Sequence, residues 1–527
     1  MRLAALDLGS NSFHLLVVET RPDGSFVPLV REKEMLGLGD LVAQGGSLPP
    51  EAIARATEVV GRFRTLAEKE GASELVAYGT SALREASNGA AAVEHLEQAT
   101  GVHVKVITGL REAQLIFEAV RASVLIEPGP ALSADLGGGS LELGIGDRSG
   151  LFYATSLHLG VGRLVTELVG SDPASAQSLG RLRRRVAEQL APVSDEVEES
   201  APCQLIVSSG TFVALVRSAA ALRDGVMPEA INQLTVGGKE LSELSELVFS
   251  LPAEARARLP GVDIRRAEML PAGMVVLEAL LEMSGLSEVT ASGWALREGI
   301  VLSAISHHDK ADLGTDPRAI RRASVLSLCR RSSWREAHAR EVAALSVGLF
   351  DATASLHRLS SEDRELLELG GLLHDIGGHV SRDDHGRHTA YLVENGGLRG
   401  FSPDEVRMLA VLGRFHTRGR PRVSFAAYRL LSSQERLRCV KLLSILRIAD
   451  GLDVSHGSVV TSVDAAVSSA GVEVIAQVKG DAEIERWIFG RKKALFEQVF
   501  ATGVVLRCEA SGHDEIEARL AGGSGLG

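Results

Sequence analysis

Two patterns of apolar residues divide the chain. Near the N-terminus, Leu3–Leu6 and His14–Glu19 flank the turn-rich Asp7-Leu8-Gly9-Ser10-Asn11-Ser12 and predict two strands joined by a tight loop. Ile53, Ala56, Val60, Phe63 and Leu66 recur at helical spacing and predict a helix over 50–70, stopped by Gly71. Leu75–Tyr78 and Val102–Ile107 read as strands, and 112–124 as a helix. A second cycle begins near Pro128. Ala131–Ala134 runs into Asp135-Leu136-Gly137-Gly138-Gly139-Ser140, and Leu141–Ile145 follows. Leu205–Val207 then leads into Ser208-Ser209-Gly210-Thr211 and a helix over 212–222. DLGSNS and DLGGGS stand 128 positions apart, each with an Asp at a strand end, which predicts two related lobes facing a cleft.

From about Pro317 the pattern turns almost wholly helical, over 319–329, 334–355, 361–373, 403–415 and 433–452. Alternating runs return after Ser455 (459–463, 471–478, 503–509) around one helix over 487–500, with 521–527 read as frayed. The predicted class is α/β: a first lobe over 1–127 and a second over 128–306, whose last segment returns to the first. A linker over 307–317, a helical domain over 318–455 and a small α+β domain over 456–527 complete the chain.

Length supports this division, since 527 residues suggest about three or four domains. A formal net charge of −12 disfavours general nucleic-acid binding, and 4% aromatic residues offer no base-stacking platform. Nine of the 56 basic residues are Lys, a bias that base composition produces as readily as phosphate contacts do. Asp7 interrupts any signal-peptide core and no run approaches about 18 apolar residues, so a cytoplasmic protein without a membrane span is expected. Four isolated cysteines argue against a disulfide framework or a zinc knuckle.

Glycines let main-chain N–H groups approach an anion, and small hydroxyl or amide side chains add donors. An Asp in such a loop carries the wrong charge for phosphate unless a divalent cation lies between. Two such loops, with Asp7 and Asp135, therefore suit a Mg²⁺-bridged polyphosphate. A Walker A loop is absent.

LAALDLGSNSFHLLVVE, YGTSALREASNG, ITGLREAQLIF, ADLGGGSLELGIG, SSGT and ASGWALREGI occur in the order of the exopolyphosphatase/guanosine pentaphosphate phosphohydrolase (Ppx/GppA) family, which the chain resembles over roughly 1–305. That resemblance implies two actin-like lobes, a phosphoanhydride hydrolase and a homodimer. Glu112 resembles the catalytic base, although a Glu there also suits the positive end of a helix. Arg84 resembles a phosphate-binding arginine, with Asn88 fixing its loop. Ser10, Asn11, Ser12, Gly137, Gly138, Gly139 and Ser140 resemble the phosphate cradle, and Ser209, Gly210 and Thr211 the rear of the cleft. Asp135 and Glu142, with Asp7 more distant, look like carboxylates for Mg²⁺ or Mn²⁺. The implied reaction is Mg²⁺-dependent release of terminal orthophosphate from inorganic polyphosphate. Its alternatives are hydrolysis of guanosine pentaphosphate (pppGpp), an ATP-dependent kinase of the same superfamily, or a sensor without turnover.

The helical region resembles HD-type phosphohydrolases through His338, His374, Asp375 and Asp450, two imidazoles and two carboxylates suited to one divalent ion. His379, His385, His388 and His416 extend the set toward a second metal. Three basic runs, 181–185, 414–422 and 486–493, read either as a path for a polyanion or as solvated faces.

Overall fold

The computed structural model describes residues 1–21, 25–309 and 317–510. Most of the 307–317 linker segment (310–316) and the 521–527 end lie outside the described residues. Contacts divide the chain into two compact units, Met1–Arg321 with Arg399–Ser402, and Arg322–Leu398 with Pro403 onward.

The first unit contains two sheets of like topology. In one, strands β1 (Arg2–Leu8), β2 (Ser12–Thr20), β3 (Phe26–Met35), β4 (Glu74–Gly79) and β5 (Val104–Val106) lie in the order β3-β2-β1-β4-β5. The other adds β6 (Ala131–Leu136), β7 (Leu141–Gly146), β8 (Leu151–Leu157), β9 (Gln204–Ser208), β10 (Leu234–Gly237) and β11 (Glu288–Ala291), ordered β10-β11-β9-β6-β7-β8. Three antiparallel strands followed by parallel neighbours appear in both: β1 pairs with β2 antiparallel and β4 parallel, as β6 does with β7 and β9. The 128-residue spacing of the two Asp-Leu-Gly loops is thus a duplication of whole sheets, with each loop joining a central strand to its antiparallel partner.

β1 shows why these central strands are almost wholly apolar. Ala4, Leu6 and Leu8 pack on one face with helix Pro50–Lys69, while Leu3 and Ala5 pack on the other with Leu115, Ile116 and Ile300. Both faces are covered by helices, so alternation of apolar and polar residues disappears. The reverse holds for β3, whose charged Val30-Arg31-Glu32-Lys33-Glu34 run lies on a sheet edge and is largely exposed, which hid it from a reading of apolar runs. Helix Gly109–Arg121 begins three residues before the predicted start, because the Thr108 side chain accepts from Arg111 N at 3.2 Å and caps it there.

The second unit is helical around Glu336–Ala352, Ser361–Leu373, His385–Asn395, Pro403–Phe415 and Ser433–Gly451. Ser360 with Asp363 and Ser432 with Glu435 form capping boxes that set two of these starts. The same unit holds a three-stranded sheet of β12 (Val460–Ser468), β13 (Gly471–Val478) and β14 (Val504–Ala510). The expected single helix over 487–500 is instead Glu483–Lys492 and Ala494–Phe500; the first starts early because Asp481 Oδ1 accepts from Glu483 N at 3.0 Å. The four cysteines are unpaired. Among the described residues no helix is long and apolar enough to cross a membrane.

Candidate active site

The two Asp-Leu-Gly loops face each other across a cleft of about 300 Å³ within the first unit. Asp7 ends β1 opposite His14 on β2, and Asp135 ends β6 opposite Glu142 on β7, so the duplicated positions carry one imidazole and three carboxylates. Asp135 accepts from Ser208 Oγ at 2.5 Å, and Glu142 from Ser156 Oγ at 2.8 Å. Asp7 Oδ1 is buried without a partner. Burial drives the Asp7 carboxyl up to about 7 and Asp135 to about 6; Arg297 opposes the first shift and Asp135 adds to it, while the Ser208 hydrogen bond opposes the second. Burial and the Glu112 charge hold Glu142 well above the usual range. An orphaned carboxylate oxygen beside the buried Glu142 and half-buried Asp135 carboxylates fits a hard divalent cation with oxygen ligands. Asp7, Asp135 and Glu142 would hold it.

Those raised values set a sign for stability. A carboxyl raised on folding contributes most below its unfolded value near 3.8, and the contribution is lost as pH climbs through 6 to 7. In chelator the melting temperature should therefore fall between about pH 5.5 and about pH 8, and Mg²⁺ should restore it at the upper end. Calorimetry of the wild type and Asp7→Asn checks this; an equal slope in both would detach it from Asp7.

Glu112 lies in the first turn of helix Gly109–Arg121, buried and lining the cleft. Its Oε2 accepts from Arg84 Nη1 at 3.1 Å, and the same nitrogen donates to Ile107 O at 2.9 Å. Burial pushes Glu112 up to about 7 against the pull of the Arg84 guanidinium. Arg84 is thus paired with Glu112, whose carboxylate lines the cleft. Asn88 fixes the neighbouring segment by exchanging two 2.8 Å hydrogen bonds with the main chain of Leu48.

The loop residues divide by task. Asn11, Ser12, Gly137, Gly138, Gly139 and Ser140 line the cleft, while Ser10, also lining it, has Oγ accepting from Ala82 N at 3.0 Å. Ser209, Gly210 and Thr211 line it from the β9 end. Ser209 has φ 81° and ψ 160°, a conformation costly for a side chain, and a buried hydroxyl without a partner. Thr80 and Ser81, at the duplicated position after β4, also line the cleft and were missed; the parallel between Gly-Thr-Ser and Ser-Gly-Thr was their signal.

Three cations were missed as well. Lys33, Arg266 and Arg297 reach the cleft from β3, the 264–266 turn and helix Leu296–Asp309. They lie outside the three basic runs, none of which lines the cleft. Arg297 Nη1 donates to His14 Nδ1 at 3.2 Å, so the ring proton sits on Nε2 and donates to Ser12 Oγ at 2.8 Å. Burial and the Arg297 charge hold His14 well below its usual value, hence neutral. Partial desolvation of its ammonium, followed by the Arg266 charge, lowers Lys33 to about 8 although the residue is largely exposed.

In the second unit the histidines form three sets with ligand spacing among the described residues, one of them His338 with Asp453 and His456. Donor atoms of His338, His374 and Asp450 lie within 4.8 Å of one another, whereas Asp375 groups with His385 and His416. The four-residue set expected around one ion is therefore split, and two residues expected only as extensions complete the second set. His379 and His388 belong to none of these groups. His338 Nδ1 faces the Asp453 carboxylate at 2.8 Å, and His374 Nδ1 faces Gly371 O at 2.7 Å. Both Nδ1 atoms must donate, so both Nε2 atoms, 3.2 Å apart, present lone pairs to each other. The same holds for His385 and His416, whose Nδ1 atoms face Arg382 O (3.1 Å) and Gly413 O (2.8 Å) and whose Nε2 atoms are 3.1 Å apart. Two lone pairs at that distance need a shared proton or a metal ion between them, and the donor sets fit either.

A model of the Ppx/GppA phosphatase family matches residues 17–308, and one of Ppx/GppA phosphatase domain III matches 320–474. Exopolyphosphatase 1 of Mycobacterium leprae is 34% identical over 326 residues, 62% of this chain and 94% of the relative. Exopolyphosphatase 1 of Mycobacterium tuberculosis is 34% identical over 303 residues, 57% of this chain and 88% of its own. The crystal structure of an exopolyphosphatase from Cytophaga hutchinsonii superposes with TM-score 0.55 at 26% identity, covering 60% of this chain and 100% of that one. The Aquifex aeolicus Ppx/GppA family member gives 0.52 at 25%, covering 59% and 99%. Since the first family match alone spans more than half of the 527 residues and agrees with the duplicated sheets and their facing loops, the chain belongs to the Ppx/GppA phosphatase family.

Proposed function

We propose that this protein is an exopolyphosphatase, releasing orthophosphate from the end of inorganic polyphosphate with Glu112 as general base. The observation that carries the reading is the position of Glu112: buried on the cleft wall, held by Arg84, and raised to about 7. A base with that value is half ionised near neutrality, where proton transfer is most effective.

Polyphosphate enters an acidic protein through local charge. Lys33, Arg266 and Arg297 offset phosphate charge along the cleft, and the loops around Asn11 and Gly138 bring main-chain N–H groups to the chain end. A divalent ion on Asp7, Asp135 and Glu142 would supply the remaining neutralisation of phosphate charge. Ionised Glu112 orients a water and accepts its proton as the oxygen attacks the terminal phosphorus. The bond to the bridging oxygen breaks, leaving orthophosphate and a chain one unit shorter. Arg84 keeps the Glu112 carboxylate in one orientation and favours its ionised form.

Phosphate-release kinetics with Mg²⁺ on long polyphosphate, short polyphosphate and pppGpp test this. Processive release from long chains is the expected result. Release from pppGpp alone would move the substrate to the alarmone, and release from none would remove the hydrolase reading.

A further inference from the structure

The third basic run ends in the helical unit's histidine cluster. Lys492, the last residue of helix Glu483–Lys492, directs Nζ onto Asp450 Oδ2, and the two side chains are only 15% and 10% exposed. The other carboxylate oxygen, Oδ1, lies 3.8 Å from His338 Nε2 and 3.7 Å from His374 Nε2. Gly451 clears the approach: a Cβ there would meet Lys492 Cδ at 3.2 Å and Ile488 Cγ2 at 3.5 Å. Lys492 also lies beyond both family matches, which end at residues 308 and 474.

An ammonium this enclosed needs a partner, and Asp450 is the one it has. Yet Asp450 is also the sole carboxylate in the His338–His374 set. A divalent ion bound there would face the Lys492 charge across one carboxylate, and like charges so close repel strongly when shielded from water. The second set is Asp375 with His385 and His416; the Lys492 charge reaches it as well, lowering His416, but its ammonium pairs with Asp450.

We propose that Lys492 is the resident counter-cation of the His338–His374–Asp450 centre and competes with a divalent ion for Asp450. Loading that centre with metal withdraws the end of helix Glu483–Lys492. The centre is thereby linked to the C-terminal part of the unit. None of this rests on the chemistry of the cleft.

The test is Co²⁺ titration of the full chain, read by equilibrium dialysis and by the visible absorption of imidazole-bound Co²⁺. Lys492→Met should bind one equivalent more than wild type, or bind the last equivalent about tenfold tighter or better. His374→Ala in the Lys492→Met background should remove the gain, and Lys492→Arg should behave as wild type. Should Lys492→Met fail to melt cooperatively, Lys492→Gln, which keeps a stem over Gly451 and drops the charge, carries the test. Equal stoichiometry and affinity with and without the Lys492 charge, or a gain that survives His374→Ala, overturns the proposal.

Discussion

Replacing Glu112 by Gln is expected to lower the turnover number for phosphate release by about 10²–10⁴-fold, the range for loss of a positioned general base. The side chain is buried, so the isosteric amide keeps the packing, and its oxygen can still accept from Arg84. Substrate affinity and melting temperature should therefore change little, which separates a chemical defect from a folding one. The pH profile adds a second reading. With Glu112 at about 7, the wild-type rate should climb as pH rises toward neutrality and level off above it. In Glu112→Gln that climb should vanish. Arg84→Ala removes a nearby cation that favours the ionised form, so the climb should shift to higher pH. A Glu112→Gln enzyme with wild-type turnover would reduce Glu112 to a carboxylate at the positive end of a helix.

Gly160→Ala should combine loss of stability with loss of activity, although its φ of −60° suits any residue. A Cβ at this position would lie 2.2 Å from Gly139 C, 2.3 Å from Gly138 O and 2.4 Å from Gly138 C, all of them main chain. The loop is tied to the start of the next helix, with Val161 N donating to Gly137 O and Gly162 N to Gly138 O, each at 3.0 Å. It cannot retreat without breaking those bonds. Overpacking of this kind costs about 1–3 kcal/mol, and the displaced main chain is the proposed phosphate cradle. Gly180→Ala in helix Ala176–Leu190 is the control: a Cβ there meets nothing within 4 Å, so it should be neutral or stabilising by about 0.5–1 kcal/mol. Denaturant melts and phosphate release on both variants check the pair. Wild-type activity in Gly160→Ala would show that the loop tolerates movement.

Much of this was legible along the chain, and the reasons are local. Loops with Asp before small residues announce themselves because strand ends and glycine-rich turns are short-range features, so Asp7, Ser10–Ser12, Asp135 and Gly137–Ser140 were legible in the sequence. The helix bearing Glu112 is equally plain from its period, with an error of three residues that the Thr108 cap explains. The cations of the cleft were not legible. Lys33 sits on an edge strand disguised by charge, and Arg266, second of an Arg265-Arg266 pair, and Arg297 lie far apart in sequence. Clusters of arginine drew attention instead, and none of them lines the cleft.

Sequence by itself determined the α/β class, the duplicated Asp-Leu-Gly loops, and Asp7 and Asp135 as carboxylates beside glycine-rich turns. These follow from periodicity and from turn chemistry, which act over a few residues, whereas Glu112 and Glu142 were named by the resemblance to the family. Only the tertiary structure decided partnership. It paired Arg84 with Glu112, left Asp7 Oδ1 without a partner, and grouped Asp375 with His385 and His416 apart from the His338–His374–Asp450 set. It also brought Lys492 to Asp450 across 42 residues of chain. Such pairings depend on how sheets and helices pack, and packing is a property of surfaces that distant segments assemble together.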